Sequence, residues 1–281
     1  MKRPNLWICL ILLAGCGLPT PRTGQVVSPG VGRAVFEART NGTDLVPITV
    51  LFPALDDGAP VGGPHPGVVF IQGGFVSTAR YEWQAVELAR AGYVVAIPEN
   101  QLALAFFSVD YGQTARALLA TPPAGSLLEG LVDAQRLAVA GHSLGSVVAM
   151  KLALQGNFQA VVLEAGFPDG ADAAQLPGFT RPSLSLAGAL DCSAKLASVR
   201  EGWQGLSSPT ALTVLSGVTH YQFTNAQTED VQRKCVPEAS LDDAHARIMQ
   251  AVLGFLEAAL RDGSVGQPAL EAVPGVTVEA R

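Results

Sequence analysis

Five residues near the middle of the chain, Gly141-His142-Ser143-Leu144-Gly145, carry the strongest chemical signal in the sequence. The apolar run Leu137-Ala138-Val139-Ala140 precedes them and a helix-patterned stretch over residues 146–154 follows, so strand, tight turn and helix are expected in succession. A serine at the apex of such a turn is lifted clear of the backbone. Glycines two residues before and after it remove Cβ atoms that would clash where the chain bends. This is the pattern of a nucleophile elbow, and it suits attack of the Ser143 hydroxyl on an acyl carbon.

A hydroxyl is a poor nucleophile at neutral pH, so it needs a base within hydrogen-bond reach and a third group to orient that base. Of the four histidines, His65 precedes a predicted strand, His142 lies inside the elbow and His245 falls in a closing helix. His220 alone follows a strand at its C-terminal end, in Leu215-Ser216-Gly217-Val218-Thr219-His220, where open α/β sheets collect their functional groups. It is assigned as general base, then general acid to a leaving alcohol. Two carboxylates compete to orient it. Asp191 follows the strand and glycine turn Leu184-Ser185-Leu186-Ala187-Gly188-Ala189-Leu190 and gives the chain order Ser143, Asp191, His220. Glu164 ends the preceding strand, Ala160-Val161-Val162-Leu163, and can reach the same histidine from a neighbouring loop. Asp191 is preferred for its shorter side chain and glycine turn, with Glu164 as the alternative acid; Asp169 and Asp172 read as solvated turn residues. Donors for an oxyanion are expected from the backbone N–H of Leu144 and from the loop Gln72-Gly73-Gly74-Phe75, with Phe75 N–H preferred and Gly74 N–H the fallback. This scheme calls for no organic cofactor and no metal.

The elements that must position these groups can be read from the apolar pattern. The 281-residue chain has no internal repeats and suits one large α/β domain. Residues 67–72, 93–98, 158–163, 183–187 and 211–215 are continuously apolar short runs, as expected of parallel strands covered on both faces; residues 79–91, 113–119 and 241–260 read as helices. The alternation is that of a doubly wound sheet. Residues 33–40 and 46–52 read as an antiparallel hairpin at the sheet edge, with Asn41-Gly42 as its turn; Asn41-Gly42-Thr43 also matches a glycosylation sequon, but the turn reading is preferred. Roughly twenty residues separate the strands that end at Glu164 and begin at Ser183, too few for a large cap domain. The cleft is therefore expected to be open, lined by Phe75, Leu144, Phe167 and Trp203, and suited to an apolar acyl or aromatic group.

With these residues in place, residues 67–260 resemble the α/β-hydrolase superfamily. Gly74-Phe75, Tyr81, Leu88-Ala89 and Ala91-Gly92-Tyr93-Val94-Val95-Ala96-Ile97-Pro98 look like the corresponding stretch of chlorophyllase-like, dienelactone-hydrolase-like and cutinase-like polyester hydrolases. Three departures stand out. Gln72 replaces a histidine that often precedes the oxyanion glycine, Ser146 replaces a frequent second glycine after the elbow, and a dienelactone hydrolase would carry cysteine at 143. The resemblance implies an α/β-hydrolase fold, with a mostly parallel doubly wound sheet, an N-terminal antiparallel edge hairpin and no large cap. It further implies a carboxylic ester hydrolase that cleaves a small-molecule or polymeric ester through a Ser143 acyl-enzyme; a monomer is expected. The alternatives are a peptidase or amidase on the same triad and a non-catalytic envelope lipoprotein that kept the fold.

The start of the chain carries an address. Lys2 and Arg3 precede an apolar stretch over residues 6–13, too short for a comfortable membrane span, and Leu13-Ala14-Gly15-Cys16 follows. Residues 1–15 thus read as a signal peptide. The four-residue match resembles the lipobox of bacterial lipoproteins, which implies cleavage before Cys16, lipid (including palmitate) on Cys16, and a membrane-anchored place in the cell envelope on its periplasmic or surface face. A plain secretory signal with a chance cysteine is the alternative. Residues 16–32, with Pro19, Pro21 and Pro29, read as a tether, residues 33–262 as the α/β-hydrolase domain and residues 263–281 as a flexible tail. Removing residues 1–15 takes away Lys2 and Arg3 and moves the formal charge from −6 to −8, which argues against nucleic acid as a partner. Cys9 leaves with the signal and Cys16 carries lipid, so Cys192 and Cys235 remain as a pair in an oxidising compartment. A disulfide between them, joining the acid loop to the histidine loop, is expected. Replacing Cys16 by Ser should leave an unlipidated precursor that no longer partitions with envelope membranes. Mass spectrometry of the native protein with fractionation checks this, and a wholly soluble protein with unmodified Cys16 refutes the anchor.

Overall fold

The computed structural model describes residues 20–41, 44–100, 105–207, 209–225, 235–262 and 275–281. The apolar runs form the strands β1 (Gln25–Ser28), β2 (Val31–Arg39), β3 (Leu45–Pro53), β4 (His65–Ile71), β5 (Val94–Pro98), β6 (Val132–His142), β7 (Ala160–Glu164), β8 (Ser183–Gly188), β9 (Thr210–Leu215) and β10 (Val276–Ala280). They build one sheet in the order β1-β2-β3-β5-β4-β6-β7-β8-β9-β10. From β5 to β9 the sheet is parallel, and β5, β7 and β8 are buried along their whole length, as two-sided burial requires. On one flank β1, β2 and β3 continue the sheet antiparallel; on the other, β10 does so.

The helices are α1 (Glu82–Arg90), α2 (Ala105–Ala120), α3 (Leu144–Leu154), α4 (Leu196–Gln204) and α5 (Leu241–Glu257), the last running into a π turn at Ala258–Asp262. From β4 the chain steps one way to β5 through α1, then the other way past β4 to β6 through α2. Right-handed crossovers in opposite directions put these two helices on opposite faces. Accordingly α1 packs with α5 and α2 with α3. The reversal opens a crevice at the C-terminal ends of the adjacent strands β4 and β6, the topological switch point at which open α/β sheets bind ligands. Between β7 and β8 stand only two single-turn 3-10 elements, Gly170–Asp172 and Leu176–Gly178, so no cap covers this edge.

Both predicted flexible ends need correction. The tether assigned to residues 16–32 reaches into the folded body: Leu127 N–H donates to the Pro21 carbonyl, Gly24 N–H to that of Gly58, and Val31 is fully buried in β2. Gly30, at φ 77°, makes the tight turn that lays Gln25 opposite Arg33, so β1 is the true edge and the predicted hairpin, now β2 and β3, lies one strand inside it. The tail assigned to residues 263–281 ends in β10, which pairs with β9 from Val276↔Leu215 to Ala280↔Ala211. A sequence scan misses such short segments because their pairing partners, not their own periodicity, stabilise them. Residues 263–274 lie outside the described residues, as do the expected signal peptide, Cys9 and Cys16. The helix predicted at 113–119 begins at Ala105, and α4 was not predicted at all. Its Gly202 looks like a helix breaker, yet a Cβ there would sit 2.6 Å from Phe167 Cβ, so the residue is needed for close packing.

Candidate active site

The elbow is a consequence of crowding at the switch point. A Cβ on Gly141 would collide with the Gly145 carbonyl, and one on Gly145 with the carbonyl of Ile71 at the end of β4. With both absent, β6 turns directly into α3 and Ser143 takes φ 55°, ψ −119°, a conformation that side-chain-bearing residues seldom adopt. Ser143 N–H is tied to the Glu164 carbonyl of β7 at 2.8 Å. Ser146 places its hydroxyl 2.6 Å from the Gly141 carbonyl oxygen and 2.9 Å from that of Glu164; its one proton serves either.

Three side chains converge above the elbow. Ser143 Oγ lies 3.0 Å from His220 Nε2, and His220 Nδ1 lies 2.8 Å from Asp191 Oδ2. Asp191 Oδ1 accepts the backbone N–H groups of Ser193 (2.7 Å) and Ala194 (2.8 Å), which fixes the carboxylate so that its second oxygen faces the imidazole. An ionised carboxylate can only accept, so the His220 proton sits on Nδ1 and Nε2 is left to accept from the serine. The histidine is presented by a 3-10 turn, His220–Phe223, whose first residues are held by a reciprocal cap between Thr219 and Gln222. Gln222 Nε2 donates onward to the Ala239 carbonyl. Cys192 and Cys235 form a disulfide with Cα atoms 5.9 Å apart, next to Asp191 on one side and beyond the histidine turn on the other.

Glu164, the alternative acid, is placed elsewhere. It is fully buried beneath the elbow, where Gln84 Nε2 of α1 donates to its Oε1 and its Oε2 meets no partner among the described residues. Burial raises its carboxyl to about 8, only partly offset by the Gln84 hydrogen bond. Asp169 and Asp172 are not simply solvated: both pair with Lys151 Nζ, at 3.2 and 2.8 Å, and Asp172 is buried. The expected oxyanion loop lies against the elbow, since a Cβ on Gly74 would be 3.2 Å from Leu144 Cδ2. Phe75 has φ 59° and is 88 % exposed. Phe167 follows Gly166, at which a Cβ would lie 2.6 Å from the Ser143 carbonyl oxygen, and its ring is partly exposed. Trp203 is not part of this cleft. It is buried under the Arg281 guanidinium, and Arg281 pairs with Thr210 at the start of β9, the opposite end of the sheet from His220. A cavity of about 380 Å³ behind Phe167, walled by Leu176 and Gly202, has none of Ser143, Asp191 and His220 in its lining.

The family model described as the alpha/beta hydrolase family matches residues 67–236. That span runs from β4 through the elbow, the acid loop and the histidine turn, and the chain belongs to this family of hydrolases. No curated protein matches the chain.

Sequence reasoning passes over Gln84 and reads Tyr81 only as part of the family resemblance; both close the site from behind. Neither has a telling spacing from Ser143; only the packing of α1 beneath the elbow brings them there. For Glu164 the sign of the pH effect is definite. With the folded carboxyl near 8 and an ordinary value of 4.5, its contribution to stability is complete below pH 4.5 and is lost as pH rises to about 8, because there only the unfolded chain ionises. Glu164→Gln removes that loss. Thermal unfolding should show the variant gaining on the parent between pH 5 and 8, by up to a few kcal/mol. A difference that does not change with pH would mean that Glu164 is ionised in the folded protein.

Proposed function

We propose that this hydrolase cleaves carboxylic esters through an acyl-enzyme on Ser143, with His220 as general base and acid and Asp191 as the group that holds His220 in the required tautomer. The observation that carries this reading is the continuous hydrogen-bonded chain Ser143 Oγ, His220 Nε2, His220 Nδ1, Asp191 Oδ2, ending on a serine in a strained elbow. In the first half-reaction Oγ attacks the ester carbonyl carbon while its proton passes to Nε2. The resulting oxyanion faces the N–H groups of Leu144, at the start of α3, and Phe75. Collapse expels the alcohol, which takes the proton from Nε2. Water then repeats the sequence on the acyl-enzyme, releasing the acid and restoring Ser143.

The rim supports an apolar acyl or aromatic substrate. Phe75 is largely exposed, Phe167 partly so, and among the described residues no cap is inserted between β7 and β8 to shield them. An exposed apolar pair flanking a polar reaction centre fits a substrate that contributes apolar surface of its own, small or polymeric. We place the protein in the cell envelope, tethered by lipid on Cys16. Leu13-Ala14-Gly15-Cys16 supports this, and a disulfide beside the site suits an oxidising compartment.

On p-nitrophenyl esters, Ser143→Ala and His220→Ala should each lower kcat by roughly 10⁴-fold or more while the protein stays folded. Asp191→Asn should cost on the order of a thousandfold and Glu164→Gln less than about tenfold. Steady-state kinetics on ester and amide panels decide the matter; faster amide than ester turnover would reassign the substrate class, and a reversed ranking of the carboxylates would move the acid to Glu164. The double variant Cys192→Ser with Cys235→Ser should lose stability, because cross-linking residues 43 apart restricts the unfolded chain. In the chain-entropy model that is worth about 3–4 kcal/mol. It should also lose kcat at temperatures well below its Tm, since both tethered loops carry catalytic groups; unchanged kcat there would leave the bridge purely structural.

A further inference from the structure

Behind the elbow runs a second chain of hydrogen bonds, wholly buried. Gly73 N–H, in the loop after β4, donates to Tyr81 Oη at 2.9 Å. Tyr81 Oη lies 2.9 Å from His142 Nδ1, and His142 Nε2 lies 3.1 Å from the backbone carbonyl of His220. Tyr81 and His142 are both shielded completely from solvent. The two ends settle every proton between them. Gly73 N–H can only donate, so the Tyr81 oxygen accepts there and its own proton turns to Nδ1. Nδ1 must then be bare, and neutral His142 carries its proton on Nε2, aimed at a carbonyl that can only accept.

We propose that Tyr81 and His142 are positioning residues of this hydrolase, a buried relay that locks the loop carrying Phe75 and the turn carrying His220 to the elbow that carries Ser143. The proposal rests on the ester-hydrolase reading above. Each link lands on a different part of the machinery: Gly73 precedes the expected oxyanion donors, His142 is the residue before the nucleophile, and His220 is the expected base. Packing leaves the relay no slack. A Cβ on Gly73 would stand 2.8 Å from Tyr81 Oη and 3.0 Å from His142 Nδ1. Phe70 packs against the Tyr81 ring at 5.1 Å and Phe223, from the histidine turn itself, stacks on His142 at 5.6 Å.

Charge gives a second reason for the relay. The His142 ring centre is 4.6 Å from that of His220, which becomes imidazolium during turnover. A charged His142 would oppose that step. Burial, and then the neighbouring His220, hold His142 well below the usual histidine value, so it stays neutral. A phenylalanine at 81 would fill the same space, but it would strand the Gly73 N–H and His142 Nδ1 without partners. Such losses at buried groups displace the loops they belong to.

The test uses the full chain and three variants. Tyr81→Phe should lower kcat on a p-nitrophenyl ester by about 10–100-fold with KM within about threefold, measured well below its Tm. His142→Gln keeps an N–H near the Nε2 position and should retain more activity than His142→Ala. Adding His142→Gln to Tyr81→Phe should cost much less than the product of the single effects, because both cut one relay. Long-range ¹H–¹⁵N correlation spectra of the imidazoles should show His142 neutral and protonated at Nε2. A kcat for Tyr81→Phe within twofold of the parent, or multiplicative losses in the double variant, overturns the proposal while leaving the Ser143 reading intact. If instead the parent fails to hydrolyse esters, that reading falls, and the spectrum still decides the relay: a charged or Nδ1-protonated His142 refutes it.

Discussion

Everything at the site depends on one strained residue. Holding Ser143 at φ 55° costs of the order of 1–3 kcal/mol, and it persists only because its surroundings leave no alternative. Those surroundings are three adjacent parallel strands. β6 delivers the serine, the carbonyl ends of β4 crowd Gly145, and the last carbonyl of β7 takes the Ser143 N–H. Ser146 then places its hydroxyl within reach of the Gly141 carbonyl and of the Glu164 carbonyl that already takes the Ser143 N–H. The strain is thus offset by the sheet, and its product is a hydroxyl aimed outward at the crevice edge with the start of α3 behind it.

Because Ser143 is fixed by strands, Asp191 and His220 have to be brought to it by loops, and each loop is pinned. Asp191 holds its own turn by accepting two backbone N–H groups, and the disulfide begins at the next residue. Thr219 and Gln222 cap the histidine turn, which Gln222 also fastens to the chain just before α5. Exposed Phe75 and buried Ala165 share the positive φ of Ser143, so strained geometry clusters around the crevice.

Beneath these loops the protein buries polar groups in an uncharged state. Glu164 is held protonated over most of the physiological range and His142 is held neutral, both chiefly by removal from water. This keeps fixed charge on these two groups away from His220, whose carboxylate partner within hydrogen-bond distance is Asp191. The division of labour between the two candidate carboxylates follows: one is solvent-shielded but hydrogen-bonded by backbone amides, the other solvent-shielded with one oxygen unpartnered.

The sequence alone determined the parts of this protein whose physics is local. An elbow announces itself through two glycines around a serine between an apolar run and a helix. Strands buried on both faces announce themselves through continuous apolar stretches, and His220 through its place just after such a strand. The tertiary structure decided whatever depends on contacts between distant segments. Position along the sequence favours Asp191, three residues beyond β8, over Glu164 at the end of β7, but only the structure shows the Asp191 carboxylate on His220 Nδ1 and Glu164 turned beneath the elbow to Gln84. β1 and β10 are too short to be recognised without the neighbours that complete their hydrogen bonds, and by sequence alone they look like tether and tail. Tyr81, Gln84 and His142 look like ordinary helix and turn residues until α1 is packed under the elbow and their polar atoms, cut off from water, are forced to find one another.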